Sequence, residues 1–370
     1  MFLWAWKSLI TQRGALIGGA LGVAGAFLLA IFFGAVLRGE SGQIVAYPAH
    51  IKPDVWVMQR GVGNMHMATS FVWDWKANKI AAMGDVKRVT PILYKSIVVS
   101  MGDWESFAYV VGLLPKSNKR AGPWKMAKGR QIENPGETVI PDVLSEITGV
   151  GIGGSISIAG KGFTVVGLSS GAFSSANPVI FTSFSELEDI LSSKGTYSYL
   201  LVDAKEGVDP GALAQRIRRE IPKVNALPHE TFIRNDFQMA MQMGVEIIFM
   251  MTVICATLAA LIVGFTAYSL VIRRRRELAI MKALGLRNAA ILFAVVFQSV
   301  ILTMLGFLFA AAFALFILPY IPALVPQLTL SVSIGAIAQI GLVALLVAIL
   351  GSLIPAYMVS RLDPATAFHV

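Results

Sequence analysis

The sequence predicts a membrane α-helical protein with four transmembrane helices and an α+β extracytoplasmic domain inserted between helix 1 and helix 2. Three observations predict it. Of the 370 residues, 55% are hydrophobic and 14% are charged, and the mean hydropathy is +0.67; an average soluble domain is about 25% charged. The apolar residues also fall in blocks: Gly14 to Leu37, Ile247 to Ile272, and the whole stretch from Asn288 to Ser360 carry no charge. Between the first two blocks lie 206 residues of mixed composition, numbered 38–243, enough to bury a core. Disordered, collagen-like and coiled-coil classes are excluded, and an ordinary soluble enzyme does not fit. The single cysteine, Cys255, excludes an intrachain disulfide framework and a cysteine metal cluster.

Taken in order, residues 1–13 open with Phe2, Leu3, Trp4, Trp6 and Lys7, which suit a short helix lying in the cytoplasmic membrane interface. Residues 14–37 form the first span. Their apolar length exceeds the 7–15 residues of a signal-peptide core, so an uncleaved anchor is expected. The second span covers 244–272 and is followed by a turn at 273–287. The charge-free run that comes next is too long for one crossing, which takes about 20 residues. Pro319, Pro322 and Pro326 divide it into a third span at 288–318, a short external loop at 319–330 and a fourth span at 331–358, leaving a tail at 359–370.

The net charge of +9 divides into +3 for residues 38–243 and +6 for the rest. The nine cations outside 38–243 are Lys7, Arg13, Arg273 to Arg276, Lys282, Arg287 and Arg361. Four spans place all nine on one side, and the positive-inside rule makes that side the cytoplasm, with both termini in it. The expected location is the bacterial cytoplasmic (inner) membrane. The basic excess is therefore a topology signal, and no aromatic-interleaved basic surface argues for nucleic acid.

Within 38–243, β-type runs at 54–58, 97–100, 108–111, 155–158 and 163–166 alternate with helical stretches at 141–147, 184–192 and 210–221. Gly154 to Lys161 resembles a phosphate loop, but it has one residue too many between its glycines, and Gly162 stands where Ser or Thr is required. No complete nucleotide-binding motif and no histidine pair at metal-ligand spacing is present, so the chain is not expected to be an enzyme.

Two constellations carry chemistry. Met65, His66 and Met67 offer an imidazole and two thioethers, ligand types for copper or haem iron. The plainer expectation is that the methionines pack while His66 faces solvent. On the approach to the second span, Met239, Met243, Glu246 and Met250 recur at steps of four, three and four, with Gln242 beside them. An acidic residue next to a span is a functional candidate, and a methionine surface suits a bulky apolar ligand. The alternative is a dimer-packing stripe with Glu246 in water.

Residues 273–286 read RRRRELAIMKALGL, which resembles the cytoplasmic turn of the FtsX/MacB-like permeases. The tail from Ser360 to Ala367 resembles their closing signature, and Gly160 to Gly167 resembles a strand of their external domain. These permeases are the four-span subunits of type VII (mechanotransmission) ABC transporters. Lacking a fused ATPase domain, the chain is most similar to the short DevC-type and HrtB-type permeases. The resemblance implies a homodimer whose turn docks on a separate ABC ATPase through Arg276, Glu277, Leu278, Met281, Lys282, Leu284 and Gly285. ATP and Mg then belong to that partner, and this chain binds no cofactor. A periplasmic adaptor protein and an outer-membrane channel are further partners the family admits. The implied activity is expulsion of a hydrophobic or amphiphilic compound. Export of haem and a non-transporting, FtsX-like control of a cell-wall enzyme are the alternatives.

Overall fold

The structure, a computed structural model, describes residues 13–66, 68–114, 118–174, 178–240, 242, 246–273, 277, 280, 282–283, 285 and 287–360. It divides into two units. One holds the long apolar helices; the other is formed by residues 39–245 together with 322–329.

Along the chain, helix α1 (Arg13–Ile44) is followed by the short α2 (Ala46–Ile51), then β1 (Val55–Gln59) and β2 (Val72–Trp73). Next come α3 (Asp74–Ala81), β3 (Val86–Met101), β4 (Trp104–Leu113), α4 (Asn118–Ala121), β5 (Met126–Gly129) and β6 (Glu137–Pro141). Helix α5 (Asp142–Thr148), β7 (Ser155–Ile158), β8 (Lys161–Ser169), β9 (Val179–Ser183), α6 (Phe184–Leu191), β10 (Thr196–Tyr197) and β11 (Tyr199–Ala204) continue it. The domain ends with α7 (Pro210–Glu220), β12 (Val224–Pro228) and α8 (His229–Ala240). Three long helices follow among the described residues: α9 (Glu246–Arg273), α10 (Asn288–Ile317) and, after the short α11 (Ile321–Leu324), α12 (Ile334–Ser360).

Helices α1, α9, α10 and α12 each contain a segment long and apolar enough to cross a membrane. With no water in the hydrocarbon core, a helix is one of the few ways to satisfy every backbone group there. Apolar side chains gain little by leaving lipid for protein, so close approach through small residues has to hold such helices together. The packing follows that rule. A Cβ added at Gly306 of α10 would lie 2.8 Å from the Ala20 carbonyl oxygen and 2.9 Å from Val23 Cγ1 of α1. Gly264 of α9 and Gly351 of α12 bring their backbones into similar contact, and Phe27 meets Phe307 edge-on at 5.8 Å.

The inserted domain is built on one ten-stranded mixed sheet in the order β12-β1-β11-β3-β4-β9-β6-β8-β5, with β7 pairing both β3 and β8. That double pairing closes β3, β4, β9, β6, β8 and β7 into a ring. Alternation along the strands sends side chains to two faces. Odd positions of β3 such as Leu93, Ile97 and Val99 fill the ring with Val110, Ile140, Phe163 and Ile180. Val55, Val57, Leu200 and Val202 meet α3 and α7 beyond it. The opposite face carries Trp56, Met58, Ile92, Tyr94, Tyr109, Phe181 and Tyr199 in a single core. Runs such as Val55 to Met58 are buried throughout because both faces are covered.

Local signals set the helices. Asp209 accepts from the Ala212 N–H at 2.7 Å, Pro210 occupies the first turn and Arg218 and Arg219 the last, so α7 is capped and matched to its dipole at both ends. Its Leu213, Ala214 and Ile217 are the buried stripe. The β5–β6 connection is organised by Glu137, which accepts from Arg130 at 2.8 and 2.5 Å and from the Glu133 and Asn134 N–H groups at 2.9 and 3.1 Å. The Arg130 guanidinium, with those N–H groups, holds the Glu137 carboxyl far below the usual carboxylate range.

Two consequences are measurable on the full chain in detergent. Gly306→Leu forces α1 and α10 apart and costs about 1–3 kcal/mol, seen as a lowered thermal midpoint, whereas Gly335→Ala, with open space at its Cβ, leaves the midpoint near wild type. Glu137 is held below the roughly 4.3 of an unfolded glutamate, so its stabilisation is complete above that pH and lost as pH falls towards the folded value. Glu137→Gln is expected to lower the midpoint at neutral pH by an amount that shrinks on acidification; a penalty independent of pH contradicts this.

Candidate functional site

Both connections of the inserted domain are seated in the core on one face of its sheet. Helix α2, which follows α1, contributes Tyr47 and Ile51; helix α8, which precedes α9, contributes Phe232. Tyr47 lies against Phe181 of β9 at 5.8 Å and donates from its hydroxyl to the Ala121 carbonyl at 3.0 Å. Phe232 stacks on Trp56 of β1 at 4.3 Å with planes 10° apart. Such aromatic pairs contribute about 0.5–1.5 kcal/mol beyond their buried area.

Charged groups tie both connections down. At the end of α2, Lys52 adopts the left-handed conformation, and Arg120 of α4 donates to the carbonyls of Ile51 and Lys52. Arg120 is itself held by Asp203 of β11 at 2.7 Å. Burial pushes the Asp203 carboxyl up, but Arg120 and Arg88 outweigh it and keep it below the usual range. At the start of α8, Trp56 Nε1 donates to His229 Nδ1 at 3.2 Å. Burial, reinforced by Lys52, lowers the His229 pKa and favours the neutral imidazole that this acceptor role needs.

Farther along α8, Asp236 is fully buried. Its Oδ1 accepts from the Met65 N–H at 2.7 Å and the His66 N–H at 2.9 Å, and its Oδ2 lies 2.9 Å from His66 Nδ1. The His66 ring meets Tyr109 of β4 edge-on at 5.1 Å. Withdrawing the carboxylate would strand buried N–H groups, at about 1–3 kcal/mol each.

This arrangement corrects one expectation. His66 is 3% exposed and does not face solvent. Its Nδ1 side is taken up by Asp236, while Met65 packs in the core and Met67 lies outside the described residues. Nothing in the sequence pairs Asp236 with His66, since the partners stand 170 positions apart.

In the methionine stripe, Met239 of α8 is half-buried, whereas Gln242, Glu246 and Met250 are exposed and Met243 lies outside the described residues. Glu246 is the first described residue of α9. In the turn, Glu277 and Lys282 are helical, and Arg276, Leu278, Met281 and Leu284 lie outside the described residues. Gly285 has φ +90°, a conformation that glycine adopts readily, and its N–H donates to the Lys282 carbonyl at 3.0 Å. That bend ends the turn before α10 begins at Asn288.

Sequence reasoning also missed a cavity of about 660 Å³ in the ring lobe, between the end of β4, the 131–135 loop and the start of α6. Leu113, Ile132 and Phe184 form its apolar wall, and Glu133 and Glu188 are its charged lining residues.

Comparison with known proteins places both halves. Residues 15–220 match the family model of the MacB-like periplasmic core domain, and residues 249–364 match that of the FtsX-like permease C-terminal. An uncharacterized ABC transporter permease of Mycobacterium tuberculosis is 23% identical over 246 residues, covering 66% of this chain and 64% of its own length. A second permease of that organism is 21% identical over 319 residues, covering 85% and 84%. The chain thus spans less than two thirds of the length of the first relative. Among solved structures, the periplasmic region of MacB from Actinobacillus actinomycetemcomitans superposes with a TM-score of 0.39 and 13% identity, over 54% of this chain and 98% of that one. The extracellular domain of the noncanonic ABC-type transporter YknZ from Gram-positive bacteria gives 0.36 and 12%, over 47% and 98%. The MacB-like model alone covers more than half of the chain and the FtsX-like model follows it, so this multi-pass membrane protein belongs to the MacB/FtsX-like ABC transporter permeases.

Proposed function

We propose that the chain is the permease subunit of an ABC exporter, working as a homodimer in the bacterial inner membrane with its termini and the 273–287 turn in the cytoplasm. A separate ATPase subunit, holding ATP and Mg, docks on that turn. Its hydrolysis moves the membrane helices, and the movement is passed to the inserted domain, which expels a hydrophobic or amphiphilic compound outward. The compound enters from the membrane or the periplasm and need not pass between the helices.

The observation that carries this reading is the seating of both domain connections in one core. A domain held by one flexible strap would dissipate motion; a domain whose α2 and α8 both pack on the same sheet face receives it. The family match over both halves supports the same assignment. The four cations Arg273 to Arg276 suit anionic headgroups beside the docking turn.

Haem is the second reading of the cargo. It is favoured by the exposure of Gln242, Glu246 and Met250, which leaves a carboxylate and a thioether open to a planar apolar ligand between two copies.

Replacing Leu278 and Met281 by glutamate is expected to abolish co-purification with the ATPase; an intact complex removes the docking assignment. In liposomes, stimulation of ATP hydrolysis by an exported compound supports export, whereas stimulation only by a periplasmic protein indicates control of that protein. For the haem reading, titration of the purified chain should produce a Soret shift that Glu246→Ala diminishes. An unshifted band, or one indifferent to Glu246, excludes it.

A further inference from the structure

Helix α8 is held on the sheet by two kinds of contact, one turn apart. Phe232 supplies apolar stacking, which is strong but non-directional, so a helix can slide or roll on it at little cost. Asp236 supplies direction. Two N–H groups converge on one oxygen while an imidazole nitrogen stands 2.9 Å from the other, and this fixes both the register and the rotation of the helix. Beside it, Asn235 Nδ2 donates to the Gly63 carbonyl at 3.1 Å. The captured segment is itself anchored to the sheet: Tyr199 of β11 donates to the Asn64 carbonyl at 2.9 Å, and the His66 ring abuts Tyr109 of β4. Strand β4 belongs to the closed ring, so the line from α8 through Asp236 and His66 ends on the part of the domain remote in sequence from either connection.

A catalytic or metal-binding role does not fit these groups. Among the described residues no cluster of three or more His, Cys, Asp or Glu could hold a metal, and both side chains are closed to solvent. A buried carboxylate is costly to keep, and replacing buried ionic contacts by well-packed apolar groups is often neutral or stabilising. What such a contact adds over leucine is a fixed geometry.

We propose that Asp236 and His66 form the joint that makes α8 and the strand ring move as one body, and are positioning residues of the export cycle. The proposal rests on the mechanical reading above. Without the joint, movement of α8 is taken up by slippage on Trp56 and does not reach the ring.

The test uses the full chain with its ATPase in nanodiscs and spin labels carried on p-acetylphenylalanine. One label pair, at the exposed positions 234 and 107 of a single chain, reads the joint itself. The distance distribution is expected to be narrow in the wild type and displaced or broadened in Asp236→Asn and in His66→Gln. An unchanged distribution in both overturns the proposal, whether or not the complex exports anything.

The second pair, position 107 on each of two protomers, reads the cycle. An ATP-dependent shift is expected in the wild type and lost in Asp236→Asn, while ATP hydrolysis by the partner persists. A shift that survives the substitution overturns the proposal. An absent shift in the wild type counts against the export mechanism alone, because the single-chain pair still decides the joint.

Rescue separates a joint from general destabilisation. A Cβ at position 63 would lie 3.5 Å from Asn235 Nδ2, so Gly63→Cys with Asn235→Cys, in an Asp236→Asn and Cys255→Ala background, is the pair with which to cross-link α8 to the same loop, formation of the disulfide being verified by mass spectrometry before the shift is read. Oxidation is expected to restore the shift and reduction to abolish it; failure of the oxidised form to restore it also overturns the proposal.

Discussion

A carboxylate with no exposure to water, on the last turns of the helix that leads to α9, is the constraint around which the inserted domain is organised. Asp236 is tolerable there because the 63–66 segment turns its N–H groups towards it and places an imidazole beside it. That segment has to be shaped for the purpose, and its carbonyls at Gly63 and Asn64 are in turn taken by Asn235 and Tyr199. Around this polar knot lie Tyr94, Tyr109 and Tyr199. Burial pushes the hydroxyls of Tyr94 and Tyr199 well above their ordinary pKa, so they stay neutral and add no competing charge. The aromatic residues thus supply bulk on the α2 and α8 side of the sheet, and the carboxylate supplies the register.

The two ends of the domain solve the same problem with opposite charges. At α2 a guanidinium, Arg120, reaches the carbonyls that end the helix, and Asp203 neutralises it. At α8 a carboxylate gathers N–H groups. Helix C-termini present carbonyls and irregular loops can present amides, so each device uses the backbone groups that its location leaves over. Both are buried or half-buried, where such contacts are little screened by salt. An exposed pair such as Arg216 with Glu220 could not hold an element in place as firmly.

Much of this architecture was legible from residues alone, for physical reasons. A charge-free run of span length is rarely anything but a membrane crossing, so the four apolar helices follow directly from composition. Alternating apolar residues marked β7 and β8, and the proline-led, arginine-ended pattern of 210–221 marked α7. The strands β9, β11 and β12 escaped because they are buried on both faces or short, and a run such as Tyr199 to Val202 has no period to read. The site was less legible still. Asp236 on an amphipathic helix looks like one more solvated acid, and only the fold brings it to His66.

The length of β3 explains why one joint can serve a whole domain. Its 16 residues extend for about 50 Å at strand rise. The first half pairs with β11, on the part of the sheet that seats α8, and the second half pairs with β4 and β7 within the ring. Where the two halves meet, β11 pairs as far as Ile92 and β4 from Leu93, and the Ser198 hydroxyl spans the junction, accepting from the Tyr94 N–H at 2.9 Å and donating to the Tyr94 carbonyl at 3.1 Å, so a hinge there has to break those contacts. Closure of the ring removes the free edges at which such a break would start. Displacement imposed at the β1–β11 end is therefore delivered to the ring with little internal loss, provided the helix that imposes it does not slip. Stiffness within the sheet is secured by dozens of apolar side chains and paired strands. Resistance to slippage at α8 rests on far fewer atoms, and the carboxylate of Asp236 is the group among them that sets direction.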